Sequence, residues 1–206
     1  MDKKKICVIG TGGFAKEVMV IIYDLGRMDE VACFMEPDSE WEERTIMGIP
    51  VWPQSKFDPA KHTATIAIAS TKIREKVTQQ LPPETVYEKL ISPKAFWTPW
   101  IEVGEGAIIG AGCLATVDIK IGKHVHLNCF TTLGHDTVIE DFVTTTSNVT
   151  INGNCHIGSH TYWGTRSSIR QGLTVCPEVV IGMSAVVVKD ITEPGVYVGL
   201  PAKKLK

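Results

Sequence analysis

The sequence predicts a small parallel α/β domain followed by a parallel β-helix of hexapeptide repeats. Two observations carry this: a nearly unbroken series of apolar residues at every sixth position from Val103 to Val187, and a strand, glycine turn and helix pattern at the N-terminus. Twelve of the fifteen positions in that series are Leu, Ile or Val. These three residues make up about a quarter of the chain, so chance would supply roughly four. A period of six matches neither the helical 3.6 nor the strand 2.0. It is the spacing of a triangular solenoid in which each hexad forms one wall, and fifteen hexads make five coils.

Within the hexads, glycine often follows the anchor, as at Gly104, Gly110, Gly122, Gly134, Gly158, Gly164 and Gly182, where a backbone rounding a corner would gain from lacking a Cβ. Small or aliphatic residues recur three positions further on, from Ala107 and Cys113 to Val179 and Ala185. Open ends of such a coil would template aggregation. The domain in front is expected to cover one end. The tail after Val187, broken by Pro194, Gly195 and Pro201, is expected to cover the other. No loop interrupts the hexads, so a cleft must form between neighbouring walls. Triangular prisms packed about a threefold axis would supply three such grooves, which predicts a homotrimer with sites between subunits.

The boundary is expected between a domain at residues 1–92 and one at 93–206. In the first, Ile6–Ile9 reads as a strand, Gly10-Thr11-Gly12-Gly13 as the turn and Ala15–Leu25 as a helix. Apolar runs at Val31–Met35 and Thr65–Ala69, with a helix-like stretch at Lys72–Gln80, complete a small α/β unit, and Val86–Ile91 leads into the solenoid. Gly10, Gly12 and Ala15 match a dinucleotide pattern, and Glu36 could hold a ribose hydroxyl. Some ninety residues supply about one mononucleotide-binding half, so a mononucleotide or nucleotide-sugar suits the length better than NAD. The same glycines could also do no more than permit a tight strand-to-helix turn.

A net charge of −2 without long charge runs gives no nucleic-acid groove and no basic membrane face. Lys3 to Lys5 and Lys203, Lys204 and Lys206 read as solvated termini. No apolar run spans a membrane and no leader pattern precedes the first strand, which predicts a cytoplasmic protein with six reduced cysteines. Five of the six histidines fall in the solenoid: His124, His126, His135, His156 and His160. His135 follows Gly134 at an outward corner with Asp136 beside it, a pairing that serves general-base chemistry. A surface histidine beside a surface acid fits the same spacing. In the zinc carbonic anhydrases that this type of solenoid resembles, a histidine pair lies five apart, and the close pairs here are two and four apart, so no metal is expected. No nucleophile with a placed base is evident, which favours direct transfer over a covalent intermediate.

Four segments then resemble one family: Ile9–Val18, Leu127–Asp136, Asn152–Gly158 and Gly195–Lys203. The sequence resembles the left-handed β-helix sugar acyltransferases related to sialic-acid O-acetyltransferase and bacillosamine-pathway N-acetyltransferase. The resemblance implies the left-handed coil, acetyl-CoA as co-substrate, a nucleotide-sugar held by the front domain, and transfer to the amino group of a nucleotide-linked deoxy amino sugar, most simply a UDP-4-amino-4,6-dideoxy sugar for bacterial surface glycan. It assigns His135 as base, Asp136 as its orienting acid and Asn128 as a polar helper. Gly153 would offer its amide to the thioester carbonyl, with Gly164, Pro201 and Lys203 as further coenzyme contacts. Thr11, Gly12, Gly13, Phe14 and Glu36 would meet the nucleotide-sugar. Two departures stand out, Phe14 where relatives often carry histidine, and Met35-Glu36-Pro37-Asp38 where paired aspartates are common. O-acetylation of a sialic-acid-like sugar is the alternative, and a non-catalytic sugar-nucleotide scaffold is a third reading.

Overall fold

Ile6, Cys7, Val8 and Ile9, buried on both faces, form the central strand of a parallel sheet, as a continuous apolar run does when covered on both sides. The computed structural model describes residues 3–205. The front sheet is built from β1 (Lys5–Ile9), β2 (Val31–Glu36), β3 (Thr45–Ile46), β4 (Ile49–Pro53) and β5 (His62–Ile66), with α1 (Gly13–Asp24) and α2 (Thr71–Gln80) beside it. Its order is β3-β4-β2-β1-β5, parallel except for the β3–β4 hairpin. The chain crosses from β1 to β2 on one side and later adds β5 on the other, so β1 lies at a topological switch point, where α/β sheets open a crevice at their strand ends. β4 is absent from the sequence reading. Pro50 and Pro53 mark it as a non-strand, yet both lie near the sheet edge, where proline is tolerated.

β6 (Leu90–Ile91) starts the left-handed solenoid, and each of the fifteen hexad anchors closes one of the next fifteen strands. Val103, Ile121, Ile139, Ile157 and Val175 stack on one wall. Ile109, Leu127, Thr145, Trp163 and Ile181 stack on a second, and Ala115, Leu133, Ile151, Ile169 and Val187 on the third. Fourteen of the fifteen are buried and Val103 is half-buried, so one apolar column runs up the prism axis. At about 25 cal/mol per Å² of buried apolar surface, this column is the solenoid's main stabilising term.

The corners correct one expectation. The glycine after each anchor is not the residue that turns. In fourteen consecutive hexads, from Gly106 to Ser184, the left-handed residue lies three positions after the anchor, with φ between 53° and 74°, and eleven of those are not glycine. The post-anchor glycines answer instead to the approach of the next coil. A Cβ on Gly104 would lie 2.5 Å from the carbonyl carbon of Gly122, and one on Gly164 would lie 2.6 Å from the Met183 nitrogen.

One end of the solenoid is covered differently from expectation. Residues 92–100 close the first end, with Ala95 and Trp97 packed on the prism core, while the front unit lies against the outer face of the second wall. That placement follows from Leu90 and Ile108, which join the α1 side of the sheet in one apolar cluster. Tyr197 and Ala202 from the tail pack over the other end. Lys3, Lys5 and Lys203 to Lys204 are partly or fully solvated, and Lys206 lies outside the described residues. Among the described residues no helix is long and apolar enough to cross a membrane.

Candidate active site

The strand Thr132–Leu133 ends at Gly134, and the corner that follows turns His135 and Asp136 out of the prism. Their side chains are 65% and 57% exposed. His135 Nδ1 donates to Asp136 Oδ2 at 2.7 Å, which fixes the tautomer and leaves Nε2 as the basic nitrogen. Eighteen residues later the coil returns with Gly153 beneath that nitrogen. A Cβ there would sit 2.7 Å from His135 Nε2, so only glycine leaves the space open. The Asn154 amide donates to the His135 carbonyl at 2.7 Å and pins the two corners together, while the Gly153 N–H donates to no protein acceptor among the described residues. A histidine–carboxylate pair and a free amide thus share one edge, an arrangement suited to general-base chemistry.

The register extends this edge. Val117, His135, Gly153, Gln171 and Lys189 stack in one column, one residue per coil. At about 4.8 Å per coil, Lys189 stands roughly 14 Å from His135. There a hollow of about 280 Å³ is lined by Val188, Lys189, Tyr197, Pro201 and Lys203. Asn128 and Gly164 belong to another column, with Gly110 and Thr146 at the preceding corner. Within one chain the structure does not join Asn128 to the His135 pair, and its side chain makes no hydrogen bond among the described residues.

The second concavity lies at the switch point, a cavity of about 660 Å³. Gly10 to Phe14 form one side, Met35 and Glu36 a second, and Ala67 to Ala69 with Lys76 of α2 a third. Gly10 has φ +115° and a Cβ there would meet the Ala67 carbonyl oxygen at 2.8 Å, so this glycine is required by the turn. Cβ atoms at Gly12 and Gly13 would meet nothing within 4 Å; these two glycines leave room at the start of α1, whose amides and dipole favour an anion. Glu36 is buried and held by both guanidinium nitrogens of Arg44 at 2.5 Å, and the Thr11 hydroxyl donates to it at 3.3 Å. The Arg44 bonds hold its carboxyl below the usual range, so it remains an acceptor at the cavity rim.

Between the two concavities runs a seam that sequence reasoning missed. Arg74, on α2, is fully buried without an ion pair among the described residues, and burial pulls its pKa down to about 9. His126 is fully buried beside it and faces the Phe14 ring at 5.1 Å. His124, Phe142 and His160 stack on the adjacent corner, their rings 5.2 and 5.1 Å apart and nearly parallel. Burial pushes His124 down to about 4, and burial together with Arg74 holds His126 well below its ordinary value. His124 and His126 are neutral packing groups. His156 is paired with Glu140 at 2.6 Å on another wall. Among the described residues no cluster of three His, Cys, Asp or Glu side chains could hold a metal ion.

A left-handed hexapeptide solenoid with an outward histidine–carboxylate pair over a bare glycine, joined to a glycine-turn cavity, defines an acyltransferase of the hexapeptide class. Comparison with known proteins narrows this. Residues 5–81 match the PglD N-terminal domain. The chain is 31% identical over 181 residues to a GDP-perosamine N-acetyltransferase of Escherichia coli O157:H7, covering 84% of this chain and 81% of that protein. It superposes on the acetyltransferase domain of PglB from Neisseria gonorrhoeae FA1090, a structure in complex with acetyl coenzyme A, with a TM-score of 0.91 at 28% identity over 99% of this chain and 100% of that one. WeeI from Acinetobacter baumannii AYE gives 0.90 at 31% identity over 98% and 100%. The chain belongs to the left-handed β-helix family of acetyl-CoA-dependent sugar N-acetyltransferases.

Proposed function

We propose that the protein transfers acetyl from acetyl-CoA to the amino group of a UDP-linked 4-amino-4,6-dideoxy sugar, a step in building bacterial surface glycan. The observation that carries this reading is His135 Nε2 lying over Gly153 with Nδ1 held by Asp136. In the reaction the amine nitrogen attacks the thioester carbon and His135 Nε2 takes its proton. The Gly153 N–H supports the developing oxyanion, and the carbon–sulfur bond then breaks to release the CoA thiol. Support for the coenzyme's course comes from the column that runs from His135 to the hollow at Lys189, Pro201 and Lys203, long enough for an extended pantetheine arm. The cavity beside Gly12 and Gly13 suits a diphosphate at the start of α1, with Thr11, Phe14 and Glu36 at its rim.

A GDP-linked sugar is the second reading. It is favoured by the curated relative named for GDP-perosamine and by a hollow of about 350 Å³ beside the cavity, lined by Asp38, Gln54 and Gln80, that gives a larger base room. The working form is a homotrimer in which a neighbouring wall closes the His135 edge and brings an Asn128 to it. Phe96, Trp100 and Phe130, each at least 60% exposed near the first coils, support a covering copy. The reaction belongs in the cytoplasm, where acetyl-CoA and sugar nucleotides are made.

A thiol-release assay over UDP- and GDP-linked amino sugars decides among these. Turnover with UDP sugars alone supports the first reading, and turnover with GDP sugars alone replaces it with the second. Acetyl-CoA hydrolysis without amine acceptance by any of them would sink both.

A further inference from the structure

Arg74 is a cation placed where no anion answers it. Its six protein contacts divide between the two parts of the molecule. Toward the front unit, Nη1 donates to the carbonyls of Ile68 at 2.7 Å and Ala69 at 3.3 Å, which line the nucleotide cavity. Toward the solenoid, Nη2 donates to the carbonyls of Phe142 at 2.8 Å and Val143 at 3.3 Å and to the Thr144 hydroxyl at 3.0 Å, and Nη1 donates to His126 Nδ1 at 3.2 Å. Thr144 passes its own proton to the Ala69 carbonyl at 3.0 Å, a second stitch across the same gap. Plain packing would favour an apolar side chain here, because a buried unpaired charge is costly to desolvate and a methionine of similar length is not. What the guanidinium supplies and methionine lacks is direction, a planar fork that fixes two backbones at one spacing and angle.

We propose that Arg74 is a positioning residue for acetyl transfer: its guanidinium locks the Ile68–Ala69 side of the nucleotide cavity to the coil that carries His135, and so sets where the acceptor amine is presented. The inference rests on the transfer reaction proposed above. The carbonyls that Arg74 grips at Phe142 and Val143 follow His135 by a single wall, the strand Val138–Ile139. The opposite side of the cavity is referred to the same region, since Phe14 packs on His126, which Arg74 orients. Both flanks of the sugar-nucleotide site are therefore indexed to the solenoid through one side chain. This is a demand that amine transfer makes and nucleotide binding alone does not, because an error of about 1 Å in a reacting atom can cost on the order of a hundredfold in rate.

Arg74→Lys keeps the charge and removes the fork. The variant should acetylate the sugar that wild type accepts with kcat lowered about ten- to a hundredfold, while KM for acetyl-CoA and calorimetric affinity for the nucleoside diphosphate stay within about threefold. Thr144→Val, which removes the second stitch and one of the six Arg74 contacts while leaving the other five, should show the same split at about threefold to tenfold in kcat, and it serves if the lysine variant does not fold. Wild-type kcat in a folded Arg74→Lys, a loss confined to Tm, or loss of nucleotide affinity in step with kcat would each overturn the positioning role. If wild type itself acetylates no nucleotide-linked amino sugar, the transfer reading fails first and this inference with it.

Discussion

Glycine does opposite work in the two halves of the chain. In the solenoid, a Cβ on Gly104, Gly122 or Gly164 would strike the backbone of the next coil, so these positions serve close packing. In the front unit, a Cβ on Gly12 or Gly13 would strike nothing, so the bare backbone there borders open space in the cavity. The contrast extends to the polar residues. The solenoid carries its candidate chemistry outward on exposed corners and keeps its interior apolar, whereas the front unit surrounds a concavity with backbone and a buried carboxylate. A stacked repeat is stabilised by nearest neighbours and leaves its edges free for function. A small sheet must place its function where the chain order reverses.

The sharpest test of that contrast is at the exposed corner. His135→Ala should lower kcat by on the order of 10²- to 10⁴-fold in the thiol-release assay while acetyl-CoA still binds, because the side chain packs against nothing the fold needs. Gly153 is a solenoid glycine outside the close-packing rule, since its Cβ would meet the exposed His135 ring and not the backbone of the next coil. Gly153→Ala should therefore cost roughly a hundredfold in kcat with little change in Tm, and a large fall in Tm instead would return it to the packing class. Asp136→Asn should cost only about tenfold, because the imidazole stays and loses its orienting acid.

In the front unit the pair Gly10→Ala and Gly12→Ala separates the two glycine roles. The first forces a left-handed, crowded backbone and should lose about 1–3 kcal/mol in a urea titration. The second should leave the urea midpoint unchanged and weaken nucleoside diphosphate binding in calorimetry. The smallest effect concerns pH and the seam. His124 and His126 are held neutral, with folded pKa values below the ordinary 6.5, so the unfolded chain binds more protons between 6.5 and the folded values. Their contribution is complete above 6.5 and declines toward about 4. Glu30 carries a folded pKa of about 2, lowered chiefly by Arg27 and then by Lys3, and its contribution is lost only below about 4.5. Tm should fall by a few degrees between pH 7 and 5, less so in His124→Asn, and a flat Tm over that range would contradict the buried, neutral assignment.

The solenoid was legible because its signal is periodic: each anchor sits at one spacing and each lands on a strand end. His135 was singled out by its corner position beside Asp136, a spacing that a surface pair fits equally well, and Gly153 only through resemblance; the hydrogen bond between the pair and the approach of Gly153 to the ring came from the fold. Arg74 was not, because the helix Thr71–Gln80 is polar apart from Ile73 and Val77 and reads as a surface helix, and only the fold shows the solenoid covering the side that carries Arg74. His124 and His126 failed for the same reason. The strand Ile49–Pro53 was hidden by its prolines, and the true corner residues were hidden because Asp, Asn, His, Phe and Arg also occupy the left-handed position there, so glycine does not mark it.

The corner column from His135 to Lys189 has one more implication. Because every coil spends eighteen residues on the same rise, the separation between acetyl-bearing and phosphate-bearing ends of a ligand lying along it is available only in whole steps of about 4.8 Å. Chain-length change in this protein is thus a ratchet. Removing one complete coil between Gly153 and Lys189 would keep every register pair in phase, yet on the coenzyme course proposed above it would bring the two ends one notch too close for the same cofactor. Related solenoids that differ by whole coils should therefore differ in the reach of the thioester they accept.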